Sequence, residues 1–248
     1  MSIFCPEPRL FHGVSGANQC SSCPVRPISF CNAMAESGLA QLAAIVTRQR
    51  AEPLATFVHE GAVAEDAFNI TGGMVRVSKL LPDGRQQVTA FLAAGDFLGL
   101  TPGPSYRYSA TALTHVTYCR FPRRRLDQLL LQHPTLDHRL LGIAASELAA
   151  AEEQMLLLGR KTALERVASF VLLLLRKGWA TGRSPSELWL AMTRADIADY
   201  LGLTVFTVSR TFTKLRQAGI VASPAADRIR VKDRAALERI AGGHVAAA

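Results

Sequence analysis

The sequence predicts an α+β chain with an N-terminal β-roll, a long central helix and a C-terminal winged helix-turn-helix. Three observations support this prediction. Short runs of alternating apolar and polar residues, separated by turn residues, fill positions 54–122 and indicate a small barrel or roll. Apolar residues then recur at helical spacing from about residue 134 to residue 160. Finally, residues 193–216 contain two short helical patterns joined by a glycine, and two short β-runs follow them.

Length and composition indicate a globular protein without a membrane-spanning segment. The chain has 248 residues, of which 49% are hydrophobic and 19% charged, so it has room for one large domain or two modest ones. No apolar run reaches the roughly 20 residues that span a bilayer. The N-terminus lacks the basic start and long apolar core of a signal peptide. We therefore expect a cytoplasmic protein that does not use a membrane.

The positive charge is concentrated at one end of the chain. The net charge is +8, and residues 1–158 carry 13 basic against 13 acidic side chains, whereas residues 159–248 carry 15 against 7. A polyanionic partner of the C-terminal part is the natural inference, because basic side chains that neutralise phosphates release counterions. We therefore expect double-stranded DNA to bind there.

Changes in pattern divide the chain into four parts. Residues 1–36 are rich in proline, glycine and cysteine, and they contain too little apolar surface to fold alone. We assign residues 37–133 to the β-roll domain, which opens with a short amphipathic helix over residues 36–50. The long helix occupies residues 134–160, and the winged helix-turn-helix domain occupies residues 161–248.

The helix-turn-helix pattern begins at Thr193, a suitable N-cap for the first helix. Gly202 supplies the left-handed residue that ends this helix, and Thr204 caps the second helix. The second helix presents hydroxyls and cationic groups on one side, which fits the major groove of DNA. An ordinary helical hairpin with a solvated polar face is the alternative. The β-runs of residues 218–233, around a turn at 223–227, complete a winged helix.

A narrow apolar stripe on the long helix, called the seam below, predicts a homodimer. Its members recur at spacings of 3, 4, 3, 4 and 3 residues, the a/d pattern of a coiled coil. They are Leu141, Ala144, Leu148, Ala151, Met155 and Leu158. The alternative is a core helix that packs on its own domain. Because alanines bury little apolar area, we expect the seam to dimerise weakly, as suits an equilibrium that a signal can shift.

The cysteine spacing predicts a metal or iron–sulfur site. Cys20, Cys23 and Cys31 form a C-x2-C-x7-C motif, and Cys119 lies far away in a predicted strand. Four thiolates suit either tetrahedral zinc or an iron–sulfur cluster, and the spacing alone also leaves unligated thiols open. Cys5 lies outside the motif and is most simply a spare residue.

The whole arrangement resembles the CRP/FNR family of bacterial transcription regulators, and most closely its oxygen-sensing FNR branch. The segments MTRADIADYLGLTVFTVSR and MLLLGRKTALERVASF carry the resemblance, together with the cysteine motif. It implies that Cys20, Cys23, Cys31 and Cys119 hold a [4Fe-4S] cluster in the absence of oxygen, when the dimer binds DNA as an activator. It also implies a cyclic-nucleotide-binding-like β-roll as the sensor domain. A regulator whose cysteines bind zinc, or sense thiol oxidation or nitric oxide, is the alternative.

The resemblance assigns the DNA contacts and exposes one departure. FNR-type proteins read a palindrome of TTGAT-like half-sites with a Glu-x-x-Ser-Arg motif. Ser209 and Arg210 match this motif, but Phe206 stands at the glutamate position, where it can pack on a thymine methyl group but cannot accept a hydrogen bond. The alternative is that Phe206 is tucked against the domain core. The remaining candidates, expected to contact phosphate, are Thr193, Thr204 and Thr207.

Two further departures concern the ligand and the dimer. Cyclic-nucleotide-binding members keep a glutamate after the GDFxG segment and an arginine further on. Leu100 and Tyr108 occupy these positions here, while Arg107 is one position away, so we expect no cyclic nucleotide. Enteric-type members place an acidic residue in the seam that opposes dimerisation without the cluster, and the matching residue is Ala151.

Two expectations complete the sequence analysis. The hairpin at residues 82–84 resembles the loop that family members turn toward RNA polymerase, although a plain surface turn explains the residues equally well. No nucleophile–base pair, phosphate-cradling glycine loop or paired carboxylate set occurs at useful spacing. We therefore expect a regulator and not an enzyme.

Overall fold

The structure is a computed structural model that describes residues 18–177 and 186–243. It contains two compact units that divide within the long helix, between Ala150 and Ala151, with residues 85–88 grouped in the second unit. Residues 1–17, which include Cys5 and the first half of the cysteine-rich segment, residues 178–185 and residues 244–248 lie outside the described residues. The four-part division of the sequence remains a prediction. Of the helices described, none is long and apolar enough to cross a bilayer.

The first unit contains the predicted β-roll, and the fold class is confirmed. Eight strands form two four-stranded sheets, ordered β1-β8-β3-β6 and β2-β7-β4-β5. The strands are β1 Thr47–Ala51, β2 Thr56–Val58, β3 Asp66–Gly72, β4 Val75–Leu80, β5 Gln86–Leu92, β6 Phe97–Leu98, β7 Ser109–Ala112 and β8 Val116–Pro122. Aromatic and aliphatic side chains from both sheets, among them Phe68, Ile70 and Val77, form the core between them.

The helix predicted over residues 36–50 is shorter than expected. A 3-10 turn at Glu36–Gly38 leads into α2, Leu39–Ile45, which buries Leu39 and Leu42. The chain then enters β1, which pairs with β8 along its whole length. The prediction was wrong beyond Ile45 because Thr47–Arg50 offers no apolar residue at helical spacing, whereas pairing with β8 satisfies its backbone groups.

The cysteine-rich segment packs on the face of the β1-β8-β3-β6 sheet that is turned away from the roll interior, called the outer face below. It consists of short turns, α1 Asn18–Ser21 and two 3-10 turns at Arg26–Ile28 and Phe30–Ala33. Phe30 is fully buried, with its ring centroid 4.6 Å from that of Phe97 and 5.3 Å from that of Phe121. Such edge-to-face aromatic contacts supply much of the apolar burial that a segment of this length can make.

The same apolar cluster includes the start of the long helix. After α3, Arg123–Gln132, the chain enters α4, Pro134–Arg160. Leu136 and Leu140 of α4 are buried in the cluster that contains Phe30 and Cys119. The Thr135 hydroxyl also donates to the Ala33 carbonyl at 3.2 Å. The first turns of α4 therefore depend on the position of the cysteine-rich segment.

The second unit is a winged helix. It comprises the end of α4, then α5 Ala163–Arg176, β9 Glu187–Trp189, α6 Arg194–Leu201, α7 Val205–Gln217, β10 Val221–Ala225, β11 Arg228–Val231 and α8 Arg234–Ala241. The three strands form one sheet in the order β10-β11-β9. The turn of the wing is tighter than predicted, because residues 223–225 continue β10 and only 226 and 227 turn the chain.

Arg166 fastens the helix-turn-helix to the end of α4. Its guanidinium Nη1 donates to the Leu201 carbonyl at 2.9 Å and to the Gly202 carbonyl at 3.3 Å. Its Nη2 donates to the Leu158 carbonyl at 2.8 Å, and its Nε donates to the Lys161 carbonyl at 2.9 Å. Hydrogen bonds from a charged donor are stronger than neutral ones. One side chain thus holds the end of α4, the start of α5 and the turn between α6 and α7.

Removal of the Phe30 ring tests how the cysteine-rich segment is held. We expect Phe30→Ala to lower the free energy of unfolding by about 3–5 kcal/mol, because it leaves a cavity between Phe97 and Phe121. Urea denaturation of protein prepared without added metal measures the change. Phe206→Ala is the control, since Phe206 is 74% exposed and its truncation is expected to change stability by less than about 0.5 kcal/mol. Equal effects of the two substitutions would contradict the packing described.

Candidate DNA-binding surface and thiol site

The predicted caps of the helix-turn-helix are present in the structure. Thr193 Oγ1 accepts from the Asp196 N–H at 3.1 Å, and Asp196 Oδ2 accepts from the Thr193 N–H at 2.8 Å, which closes a capping box. Gly202 ends α6 with a left-handed φ of 59°. Thr204 caps α7 through a hydrogen bond from the Thr207 N–H at 3.1 Å. The sequence predicted these features because each is local to one turn.

One face of α7 is buried and the other is open. The buried residues are Val208, Thr211, Phe212 and Leu215. The exposed residues include Ser209, Arg210, Lys214 and Arg216. Val205, at the first position of α7, is 47% exposed.

Phe206 lies on the open side of the first turn of α7. Its side chain is 74% exposed, so the alternative that it is tucked against the domain core is wrong. In helix-turn-helix proteins, residues near the start of the second helix contact base edges. Phe206, Ser209 and Arg210 therefore share the surface that such contacts require.

The three threonines predicted to contact phosphate already use their hydroxyls within the caps. Thr193 Oγ1 donates to Asp196 Oδ2 at 2.6 Å. The hydroxyls of Thr204 and Thr207 lie 2.8 Å apart, and Thr204 also accepts a backbone N–H. Contact of these residues with phosphate remains a prediction. A hydroxyl that binds phosphate has to do so in addition to its hydrogen bond in the cap, or in place of it.

The seam lies on the exposed side of α4. Leu141 is 65% exposed, Leu148 62% and Met155 65%, values that are high for large apolar side chains. Ala144 is partly exposed and Ala151 is exposed. Leu158 is partly buried, because its Cδ2 packs against Gly202 in the turn of the helix-turn-helix. The buried side chains of α4, such as Leu140 and Leu157, lie on another face, so the alternative of a core helix does not account for the seam.

The four predicted ligand cysteines gather at the outer face of the β-roll. Cys119 lies in β8 and is 8% exposed, and Cys20 and Cys31 pack against the same apolar cluster. Cys23 follows α1, where its carbonyl accepts the Arg26 N–H at 3.2 Å. All four are free thiols. Within residues 18–177 and 186–243, no group of three or more His, Cys, Asp or Glu side chains is arranged to hold a metal ion.

Burial controls the protonation of these thiols. It raises the pKa of Cys31 to about 12, and the neighbouring Cys119, Cys20 and Cys23 raise it further, whereas a hydrogen bond with Ser29 opposes the shift. Burial likewise raises the pKa of Cys119 to about 12, against the charge of Arg48. Cys31 and Cys119 are therefore protonated at neutral pH in the absence of a bound metal centre, and ligation of these two would release their protons.

Arg48 is a neighbour of the thiol site that the sequence did not reveal. Its guanidinium hydrogen-bonds to the Cys119 thiol and opposes the burial effect on the pKa of Cys119 and of Cys20. The two residues are directly opposed in the β1–β8 ladder. They are 71 positions apart in the sequence, so only the strand register brings them together.

Leu100 and Tyr108 stand at the two positions where cyclic-nucleotide-binding members keep a glutamate and an arginine. The Tyr108 hydroxyl accepts the Gly99 N–H at 2.9 Å, and burial raises the pKa of Tyr108 to about 12. Leu100 is 37% exposed, and Arg107 is exposed on the surface. Neither an acidic nor a basic side chain stands at the two positions.

A β-roll followed by a winged helix with an open, basic recognition helix defines a DNA-binding transcription regulator. A model of the Crp-like helix-turn-helix domain matches residues 165–240, and a model of the cyclic nucleotide-binding domain matches residues 48–133. The chain therefore belongs to the CRP/FNR family of transcription regulators, as the sequence predicted, and the expectation that it is not an enzyme is confirmed by its relatives.

Three relatives illustrate the similarity. The nitrogen fixation regulation protein FixK of Azorhizobium caulinodans is 44% identical over 179 residues, which cover 72% of each chain. The transcriptional activator protein FnrL of Cereibacter sphaeroides is 32% identical over 229 residues, covering 91% of this chain and 92% of FnrL. The structure of FixK2 from Bradyrhizobium japonicum matches with a TM-score of 0.75 and 37% identity, covering 82% of this chain and 100% of FixK2.

Proposed function

We propose that this protein is a transcription activator that binds DNA as a homodimer when oxygen is scarce and whose Cys20, Cys23, Cys31 and Cys119 hold a [4Fe-4S] cluster. The observation that carries the proposal is the gathering of Cys20, Cys31 and Cys119 against one apolar cluster at the outer face, with Cys23 within electrostatic range of all three. The donor set is that of iron–sulfur proteins, in which four cysteine thiolates hold the cluster. The cluster, when bound, supplies a centre that oxygen degrades.

The protonation of the thiols favours metal ligation over peroxide sensing. A cysteine that reacts with peroxide does so as a thiolate, and such cysteines have low pKa values and are accessible to solvent. Cys31 and Cys119 have the opposite properties, because burial raises the pKa of each to about 12. The zinc-binding alternative is distinguished by the experiment below.

The connection from the thiol site to the dimer runs through the first turns of α4. Phe30 precedes Cys31 directly and shares one apolar cluster with Leu136 and Leu140. A shift of the cysteine-rich segment therefore repacks the surface that orients α4. Because closely packed side chains have a few discrete arrangements and do not deform continuously, the seam has a physical means of responding to the state of the thiols.

The exposed seam supports homodimerisation. Leu141, Leu148 and Met155 leave a continuous apolar stripe in water, and a second copy of the same helix is the partner whose seam has matching a/d spacing. A dimer presents two recognition helices, which suits a palindrome of TTGAT-like half-sites. We expect Arg210 to donate to a guanine of each half-site.

Two further elements of the proposal concern other partners. We expect no cyclic nucleotide, because Leu100 and Tyr108 supply neither the carboxylate nor the guanidinium that such a ligand needs. We also expect the β4–β5 hairpin to contact RNA polymerase. It projects Leu80, which is 64% exposed, and Leu81, which is 46% exposed, beside the turn at Gly84.

An anaerobic absorption spectrum with iron and sulfide assays tests the cluster. We expect a broad visible band that bleaches in air, with iron and sulfide in equal amounts, and loss of the band in Cys119→Ser. Cys5→Ser is the control and is expected to retain the band. Colourless protein with stoichiometric zinc would establish the zinc alternative instead, and colour in the protein without response to air would refute oxygen sensing.

The seam makes a prediction about the cluster-free protein. Because Ala151 introduces no charge repulsion, we expect the cluster-free protein to remain partly dimeric at micromolar concentration in sedimentation velocity. Ala151→Asp is expected to convert it to monomer. Ala150→Asp is the matched control, since Ala150 is exposed and lies outside the seam. A wild-type protein that sediments only as a monomer would refute the prediction.

The DNA sequence preference depends on Phe206. We expect weakened discrimination at the base that a glutamate would read, by roughly 1–3 kcal/mol for one lost base contact. Binding-site selection with the wild-type protein and with Phe206→Glu measures it, and the substitution is expected to restore the preference. Arg210→Ala serves as the comparison, because it should weaken a different base position. Full preference at every base with the wild-type protein would contradict the prediction.

A further inference from the structure

Cys119 has one polar neighbour on each side in its sheet. In the ladder between β1 and β8, Arg48 lies directly opposite Cys119, and in the ladder between β3 and β8, Asn69 lies directly opposite the same residue. Directly opposed residues of antiparallel strands project to the same face of a sheet, with Cβ atoms about 4.5–5.5 Å apart. Arg48 and Asn69 therefore flank the Cys119 thiol on the outer face.

Asn69 is a residue that packing alone does not explain. It is 2% exposed, and among the residues that the structure describes its Oδ1 has no hydrogen-bond partner. Its neighbours on the outer face, Ala67 and Phe97, are apolar. A buried amide oxygen without a partner destabilises a folded protein, so an apolar side chain of the same size would suit this position better.

The amide of Asn69 has donors as well as an acceptor. Its Nδ2 carries two N–H groups, and a half-turn about the Cβ–Cγ bond exchanges oxygen and nitrogen with almost no change in shape. Asn69 can therefore turn an N–H toward a sulfur on the outer face when that sulfur becomes a strong acceptor. A thiolate bound to a metal centre is such an acceptor, whereas a neutral thiol is a weak one.

Arg48 makes the complementary contribution from the other side. Its guanidinium hydrogen-bonds to the Cys119 sulfur and also lies within electrostatic range of Cys20. Arg48 therefore interacts both with Cys119, the proposed ligand in the sheet, and with Cys20, a proposed ligand in the cysteine-rich segment.

We propose that Arg48 and Asn69 are positioning residues for the cluster, which hydrogen-bond to the ligand sulfur of Cys119 from both sides and slow loss of the cluster in air. The inference rests on the proposed function, because it concerns the same four cysteines. Hydrogen bonds to ligand sulfurs are among the features that set the reduction potential of iron–sulfur centres. Substitution of such outer residues typically weakens metal retention 10- to 100-fold.

The test compares each variant with and without the cluster, in the full-length protein reconstituted anaerobically with iron and sulfide. For Asn69→Leu we expect the visible band to bleach about 10-fold faster in air, with a shifted iron–sulfur stretching frequency in the resonance Raman spectrum. In the cluster-free protein the same substitution is expected to leave the melting temperature unchanged or raised, because it removes the unpartnered Oδ1. If Asn69 had only a structural role, Asn69→Leu would instead lower the melting temperature and leave the resonance Raman spectrum unchanged.

Arg48 is tested in the same way. We expect Arg48→Gln to bleach faster by a similar factor and Arg48→Lys to recover part of the loss, because lysine keeps the charge and one donor. Arg50→Gln is the matched control. Arg50 lies two residues along β1 and faces Thr117, so its substitution is expected to change neither the bleaching rate nor the spectrum.

The possible outcomes separate this inference from the proposed function. If the wild-type protein assembles the cluster and the Asn69 and Arg48 variants bleach at the wild-type rate with unchanged spectra, the inference is wrong while the proposed function stands. If the wild-type protein assembles no cluster under these conditions, the proposed function fails and the inference fails with it.

Discussion

The structure of the β-roll unit depends on covering the outer face of the β1-β8-β3-β6 sheet. Phe97, Cys119 and Phe121 make this face apolar, and burial of such side chains is the dominant favourable contribution to folding. The cysteine-rich segment covers it through Phe30, and α4 covers it through Leu136 and Leu140. Burial of this one face thus positions the three proposed ligand cysteines of the segment beside Cys119. It also fixes the start of the helix that carries the seam.

Local features of the sequence predicted the DNA-binding surface well. The caps at Thr193 and Thr204, the left-handed Gly202 and the open face of α7 each depend on residues within one or two turns, so spacing alone reveals them. The end of α2 was missed because the strand that follows is stabilised by its pairing with β8, which no local pattern encodes. For the same reason the sequence did not show that Arg48, Asn69 and Cys119 share one line across three strands.

The thiol site illustrates how burial selects among the possible chemistries of cysteine. In water a thiol is a modest acid, but on the outer face of the roll the charged form is disfavoured, which raises the pKa of Cys31 and of Cys119 to about 12. A centre that neutralises several thiolates at once removes this penalty. The sequence supplied the identity and spacing of the four cysteines, whereas their protonation follows from a core that is formed by residues distant in the chain.

The four carbonyl contacts of Arg166 have a consequence for the way a dimer measures DNA. Because these hydrogen bonds join the end of α4 to the turn before α7, they tie the recognition helix to the end of α4. The distance between the two recognition helices of a dimer is then set by how the paired α4 helices end, and it has to match one turn of the double helix, about 34 Å. A small increase in the angle between the paired helices would change the distance between the recognition helices, so that they would no longer fit successive major grooves. Through Arg166, the length of operator that a dimer fits therefore depends on how the two α4 helices pair.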